Sequence, residues 1–388
     1  MPDHRITRRS MITASAAALG LPAIAAAAAA ATAKPGAKEP RRPAAAPMRA
    51  AVIESGGAPV GDHVRLVTDW PKPSPGRGEA LVRTRAAALN HLDIWIAMEP
   101  ARVPWISGAD ACGTVEAVGE GVDQAWIGRT IIVSAALPIV EPPRPGARPS
   151  RPPQINLLGS ETQGTMAEWF TAPADNLIEV GDADPIAAAA FALTHLTAWR
   201  MIVSRARATP DQTALVTGIG GGVALAALGI LKAIGCAAVV TSRQKEKLDR
   251  ARALGADHGL IDEGQDWSKE ARAFTSGRGV DLVIDSVGAP LHERCLRSLA
   301  HGGTLVTCGA SAGAEAKTDL ATIFWSQLSV LGSSMGNMDE MRAVTALFRS
   351  GALKPVVDSV HEPADAGKAY ARLDSGRQFG KVVVRWAA

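Results

Sequence analysis

Between Leu215 and Ala224 the chain reads LVTGIGGGVA, an apolar run that passes through four glycines into a long apolar segment. Few folds accommodate that order. Gly218 allows a strand to turn sharply into a helix. Gly220, Gly221 and Gly222 remove the side chains that would hold an anion away from backbone N–H groups. A helix starting near Gly222 then aims its positive dipole end at that anion, which is how a dinucleotide pyrophosphate is held. The spacing departs from G-x-G-x-x-G, because Gly218 and Gly220 fit and the last position falls on Val223. A glycine cluster alone also suits an ordinary strand–helix turn, so the segments downstream decide.

The helix, expected over residues 222–234, is followed by AAVVTSR, ending in Thr241, Ser242 and Arg243. In a βαβ unit this strand end meets the cofactor ribose. An acidic residue there binds the 2′-hydroxyl of NAD. Here hydroxyls and a guanidinium, with Lys245 and Lys247 close behind, suit a 2′-phosphate, so NADP(H) is expected over NAD(H). The competing reading is that Arg243 opens a solvated helix. The unit then repeats: QKEKLDRARALGAD is helical in spacing, HGLI is a third strand, and residues 280–288, 302–310 and 329–335 supply three more. Apolar strands alternating with helices imply a doubly wound parallel sheet of the Rossmann type, in an α/β protein. Asp285, Ser286, Gly309 and Ser333, at the strand ends, are expected to face the cofactor crevice.

With 388 residues, 47% of them hydrophobic, the chain can bury two cores. A formal charge of +3 with interspersed signs gives no nucleic-acid signature. Cys112, Cys236, Cys295 and Cys308 are widely spaced, which favours free thiols over disulfides or metal ligands. Residues 1–47 read differently from the rest. Thr7-Arg8-Arg9-Ser10-Met11-Ile12 and the alanine-rich stretch behind it resemble a twin-arginine export signal, with a small-residue cleavage site near Ala23-Ile24-Ala25 and a proline-rich linker after it. The stretch is too weakly apolar for a stable membrane span. The expectation is a periplasmic or secreted protein. The alternative is a cytoplasmic one translated from Met48.

From Met48 to Pro173 short alternating runs broken by glycine and proline predict a compact, mostly β, barrel-like domain. Residues 174–335 are expected to form the Rossmann domain, and residues 336–388 to return to the first domain. With GEALVRTRAAALNHLDIW, GADACGTVEAVGEGV, HLTAW, the glycine turn and the closing GRQFGKVVV in place, residues 48–386 resemble the medium-chain dehydrogenase/reductase superfamily. That resemblance implies a chaperonin-10-like catalytic domain and, for Lys381 in the closing motif, a cofactor contact. Where zinc members of the superfamily carry their catalytic ligands, this chain has Asn90, Ala109 and Leu193; two of these cannot bind zinc and Asn is a poor ligand. The place of the structural-zinc lobe is taken by EPPRPGARPSRPP. His91 and His195 lie near the expected cleft, where hydrogen-bonding or substrate-facing roles outweigh a metal.

Without a Lewis acid, hydride transfer to an electron-poor acceptor is the easier reaction, and the chain is similar to the zinc-independent quinone oxidoreductase group. A quinone or an α,β-unsaturated carbonyl is therefore the expected substrate. Tyr370, the single tyrosine, lies outside the motif in which relatives place a tyrosine. Asn90, Asp93 and His195 are the candidate catalytic groups: Asn90 to bind a substrate oxygen or the nicotinamide ribose, Asp93 to organise its loop or transfer a proton, His195 to donate a proton at neutral pH. Thr197 is expected at the nicotinamide face. Trp95 and Trp105 offer an aromatic wall or core packing. A zinc-less alcohol or aldehyde dehydrogenase and a non-catalytic NADPH-binding module remain open alternatives. The resemblance implies a homodimer joined through edge strands of the Rossmann sheet.

Overall fold

A computed structural model describes residues 45–99, 102–138 and 155–387. Residues 1–44, on which the expectation of an export signal rests, and the proline-rich segment 141–153 lie outside the described residues. The first domain starts with β1 (Pro47–Ile53) paired antiparallel to β2 (Val64–Pro71). β3 (Glu79–Ala88) leads through Asn90 into α1 (His91–Met98), and β4 (Asp110–Val118) returns antiparallel to β3. β5 (Thr130–Val133), the short pair β6 (Ala136–Pro138) and β7 (Ile155–Leu157), β8 (Trp169–Pro173) and β9 (Leu177–Glu179) complete it. Because β9 pairs with β5, the first sheet runs past Pro173 to Glu179.

α2 (Pro185–Trp199) connects the domains. Asp184 caps it, accepting the Ala187 N–H at 2.9 Å, and Pro185 fits the first turn. Its residues are apolar nearly all round because it is buried from several sides, against β3, β4 and the cofactor domain. Together with residues 200–205 it is long and apolar enough to cross a membrane, yet 67% of that run is buried inside the protein.

The second domain reads β10 (Thr213–Val216), α3 (Gly222–Ile234), β11 (Ala237–Ser242), α4 (Lys245–Ala253), β12 (His258–Ile261), α5 (Ser268–Phe274), β13 (Val280–Asp285), α6 (His292–Ser298), β14 (Leu299–Thr307), α7 (Leu320–Trp325) and β15 (Ser329–Gly332). All its strands are parallel, in the order β12-β11-β10-β13-β14-β15. Each strand is apolar on both faces for a visible reason. Leu215, Val239, Val283 and Leu305 pack towards Trp267, Leu291 and Leu296, whereas Val216, Val240, Ile284 and Val306 pack towards α2 and α3. The sheet is doubly wound, and its order reverses at β10, which places a crevice beyond that strand's carboxyl end.

α8 (Met338–Arg349) then packs on α2, and the chain returns through β16 (Val357–His361), α9 (Ala366–Asp374) and β17 (Lys381–Arg385). β17 inserts between β16 and β3, giving a first sheet ordered β16-β17-β3-β4-β5-β9 with β8 also on β3. The amino end of β17 thereby reaches the glycine turn.

Candidate active site

The glycine turn is held by three hydrogen bonds, two to Thr241 and one from Gly380. The Gly218 N–H donates to Thr241 Oγ1 at 3.1 Å, the Ile219 N–H to Thr241 O at 2.7 Å, and the Gly380 N–H to Gly220 O at 2.9 Å. Gly218 (φ +64°) and Gly220 (φ +115°) use backbone conformations that other residues rarely adopt. A Cβ at Gly220 would lie 2.7 Å from Lys247 Cδ, and one at Gly222 would lie 2.8 Å from Thr194 Cγ2. Gly221 differs: a Cβ there would meet nothing closer than Gly218 O at 3.7 Å. Gly221 caps α3 with no side chain on the exposed N–H groups, and Val223 lies in the first turn. This open, uncapped terminus of a 13-residue helix fits a pyrophosphate.

Beyond β11, Arg243 is exposed, while Lys247 is buried and donates to Gly376 O at 2.7 Å. Burial, then Arg243 and Arg372, hold the Lys247 pKa below its ordinary value. Arg243 and Lys247 thus lie beyond the carboxyl end of β11, whereas Arg372 is paired with Asp358 at 2.9 Å. Ser242, also buried there, spends its hydroxyl on the Gln244 N–H at 3.1 Å.

Asp285 requires a correction. Its buried carboxylate accepts from Thr217 Oγ1 (2.6 Å), the Val287 and Gly288 N–H groups (both 3.1 Å) and Thr307 Oγ1 (3.4 Å). It ties β10, its own turn and β14 together instead of facing the crevice, and burial raises its pKa. Gly309 sits against the Ser286 backbone beyond β14, and the Ser333 N–H donates to Thr307 O at 2.9 Å.

Beside the glycine turn lies a buried cluster of Asn90, Asp110 and Lys381. Asn90 is the N-cap of α1, and its N–H donates to Asp93 Oδ2 at 2.7 Å in a capping box. In its side chain, Nδ2 donates to Asp110 Oδ2 at 2.9 Å, and Oδ1 accepts from Lys381 Nζ at 2.6 Å. The second Lys381 bond reaches Asp110 Oδ2 at 2.9 Å. Asp110 Oδ1 accepts the Leu193 N–H of α2 at 2.7 Å, so one carboxylate joins β4, α1, α2 and β17. Asn90, expected to bind a substrate oxygen or the nicotinamide ribose, has both ends of its amide engaged, by Lys381 and by Asp110. Asp93 is fully buried, and burial pushes its pKa up to about 6, with the Asn90 N–H and Ser107 opposing.

His195 does not suit the neutral-pH proton donor expected of it. It is 3% exposed, stacks on Phe191 with ring centroids 4.1 Å apart, and its Nδ1 lies 2.9 Å from Phe191 O. Burial, the dominant cause, pushes its pKa down to about 3, and the Lys381 charge adds to that. The ring is neutral at physiological pH. Thr197, one turn beyond Leu193, donates to Leu193 O at 2.8 Å. His91 is solvent-exposed at the start of α1. Tyr370 is fully buried in the first-domain core, 2.6 Å from Ser107 Oγ. Trp95 is exposed, and Trp105 donates Nε1–H to Gly159 O at 2.8 Å.

Sequence reasoning passed over Asp110, although two signals marked it: a carboxylate opening the apolar run DACG, and a lysine opening the apolar run KVVVR. Each charge needs a partner if its strand is buried. Ala109 and Leu193 flank the cluster, and among the described residues no three His, Cys, Asp or Glu side chains gather as a metal site.

Comparison with known proteins agrees with this architecture. Residues 76–182 match the alcohol dehydrogenase GroES-like domain, and residues 222–350 match the zinc-binding dehydrogenase family. The chain is 29% identical over 340 residues to the zinc-type alcohol dehydrogenase-like protein YogA of Leptosphaeria maculans, covering 81% of this chain and 92% of that protein. It is 27% identical over 360 residues to crotonyl-CoA reductase of Streptomyces avermitilis, covering 81% and 80%. A solved NAD-dependent alcohol dehydrogenase superposes with a TM-score of 0.79 at 36% identity, over 87% of this chain and 99% of that one. The two-domain fold, the open glycine turn and these similarities together place the chain in the medium-chain dehydrogenase/reductase superfamily.

Proposed function

We propose that the protein is a zinc-independent, NADP(H)-dependent reductase that transfers hydride to a quinone or to an α,β-unsaturated carbonyl. The observation that carries this reading is the Asn90–Asp110–Lys381 cluster. The residues beside Asp110 and Thr197, Ala109 and Leu193, offer no metal donor, and the remaining polar groups are bonded to one another. Among the relatives, crotonyl-CoA reductase and the acryloyl-coenzyme A reductase of Sulfurisphaera tokodaii (27% identical) are named for α,β-unsaturated thioesters.

A nicotinamide cofactor, when bound, supplies the hydride. The chain's own residues bind and orient. The open α3 terminus at Gly221 and Gly222 receives the pyrophosphate, and Thr197 and Val223 line the approach to the nicotinamide. Arg243, with Lys247 and Ser242 behind it, favours a 2′-phosphate; the D-arabinose 1-dehydrogenase (NADP(+)) of Saccharolobus solfataricus is 28% identical.

The same reading includes a homodimer. β15 is an outer strand of the cofactor sheet; Leu320, Phe324 and Trp325 before it are 70%, 60% and 75% exposed, and Val330 within it is 42% exposed. It also includes twin-arginine export directed by residues 1–47, which the mass of the mature N-terminus in native cells tests.

The functional experiment is oxidation of NADPH and of NADH, followed optically, against a small quinone, an enone and an aldehyde. The proposal expects turnover of the quinone or enone with NADPH preferred. Turnover confined to the aldehyde supports the dehydrogenase alternative, and cofactor binding without any turnover supports the binding module.

A further inference from the structure

We propose that the protein has a second ligand site, for an aromatic carboxylate with a hydroxyl or amino donor at its far end, in the groove between the two chain crossings that join the domains. The site lies apart from the glycine turn and does not depend on the reductase reading.

Connectivity builds the groove. Residues 180–184 carry the chain from β9 into α2, and residues 350–356 carry it from α8 back to β16. Between them lies a cavity of about 670 Å³, within the range that small-molecule sites occupy. A smaller cavity of about 340 Å³ shares Arg349 with it and extends it along β9 to Trp126. An occupant therefore touches both crossings. Ala187, in the first turn of α2, lines the groove. The glycine turn is met two turns further along that helix, about 10 Å away, where Thr194 lies against Gly222.

Three surfaces set the chemistry of the occupant. One is apolar and rigid. Phe348 and Leu353 line it, and Phe348 stacks on Phe191 with ring centroids 4.5 Å apart, which stacks in turn on His195 at 4.1 Å. A flat ring packs on such a surface without reorganising it. The α8 side is basic, carrying the exposed Arg349 and Lys354, and among the described residues neither is held in an ion pair. Nearby Arg342, by contrast, is spent on Asp339 at 2.8 Å. A guanidinium and an ammonium side by side suit a carboxylate. The α2 side is acidic. Asp184 is spent on the Ala187 N–H at 2.9 Å, which leaves Asp182 to accept a donor from the ligand. An inorganic anion would leave the apolar surface and Asp182 unmatched, whereas an anion, a flat body and a donor in one molecule meet all three.

The test uses 6-hydroxy-2-naphthoate, whose fluorescence anisotropy reports binding to the full-length protein in saturating NADP+, so that the cofactor site is filled. The proposal expects one site per chain with a Kd below about 1 mM. Arg349→Glu/Lys354→Glu should weaken binding by about tenfold or more. Ala183→Trp, which fills the groove without changing its charge, should abolish it. Asp182→Asn should weaken 6-hydroxy-2-naphthoate yet leave 2-naphthoate, which lacks the donor, within about twofold of wild type. All these positions are exposed or half-buried, and circular dichroism checks that each variant is folded. Unchanged binding in both the charge-reversal and the groove-filling variants would place the ligand elsewhere and overturn the proposal. Absence of binding to wild type would overturn it as well, and equal loss of both naphthoates in Asp182→Asn would refute the donor end of the assignment.

Discussion

Replacing Asp110 by Ala removes the acceptor of three donors at once: Lys381 Nζ and Asn90 Nδ2, each 2.9 Å from Oδ2, and the Leu193 N–H, 2.7 Å from Oδ1. Lys381 is left as a buried ammonium bonded to Asn90 Oδ1. Breaking a buried ion pair from one side costs about 3–5 kcal/mol. An orphaned buried N–H costs about 1–3 kcal/mol. Because both terms belong to one site they do not add fully, and the expected loss is about 4–6 kcal/mol. That is a large share of the ~5–15 kcal/mol that holds a protein folded, so the variant needs preparing and measuring in the cold. Removing the charge as well, in Asp110→Ala/Lys381→Met, eliminates the ionic part and should return about 2–3 kcal/mol. The assay is urea unfolding at pH 7, followed by tryptophan fluorescence and far-UV circular dichroism so that separate domain transitions are seen. The reasoning is refuted if Asp110→Ala loses less than about 1 kcal/mol, or if the double variant is less stable than the single one.

Two further outcomes follow from individual side chains. Asp93 rises from 3.8 to about 6 on folding, which at about 1.4 kcal/mol per pH unit amounts to about 3 kcal/mol. The folded state binds the proton more tightly, so this contribution is complete below pH 4 and is lost as pH rises through 6. His195, lowered to about 3, acts in the opposite sense, its contribution being lost as pH falls below 6.5. The difference between wild type and Asp93→Asn in thermal midpoint from pH 4 to 7 therefore isolates Asp93; a constant difference contradicts the assignment. At the sheet edge, Trp325→Glu puts a charge on a side chain that is 75% exposed and flanked by Phe324. Sedimentation should show a dimer for wild type and monomer for the variant, whereas identical profiles would locate any dimer contact elsewhere.

The parallel sheet was legible because each of its strands is a run of apolar residues closed by a glycine or polar residue, a pattern that burial on both faces demands. HGLI coincides with β12, and residues 222–234 coincide with α3. The strand at residues 302–310 starts earlier, at Leu299, which pairs with Val280 of β13, and a register irregularity then carries the chain through His301 and Gly302, which have no apolar signal, before pairing resumes at Thr304. The candidate site was legible in its glycines and less so in its polar groups. Asn90 and Lys381 were found, yet their partner is 20 residues from one and 271 from the other, a tertiary contact that local pattern does not encode. The side of α2 that His195 occupies was equally invisible, since α2 is apolar nearly all round and has no polar face to orient it. Asp285 was misread for a related reason. A carboxylate at a strand end either points outward to a ligand or bends back to cap neighbouring turns, and its four internal donors decide for the second.

The central claim is that hydride transfer proceeds here without a metal, on a cofactor held by the glycine turn and beside the Asn90–Asp110–Lys381 cluster. The most direct measurement is NADPH-dependent reduction of an enone or quinone by full-length protein, with bound metal quantified before and after exhaustive chelation. The account predicts the same turnover with and without chelation, at a metal content far below one ion per chain. Activity that vanishes on chelation and returns with added zinc would contradict it.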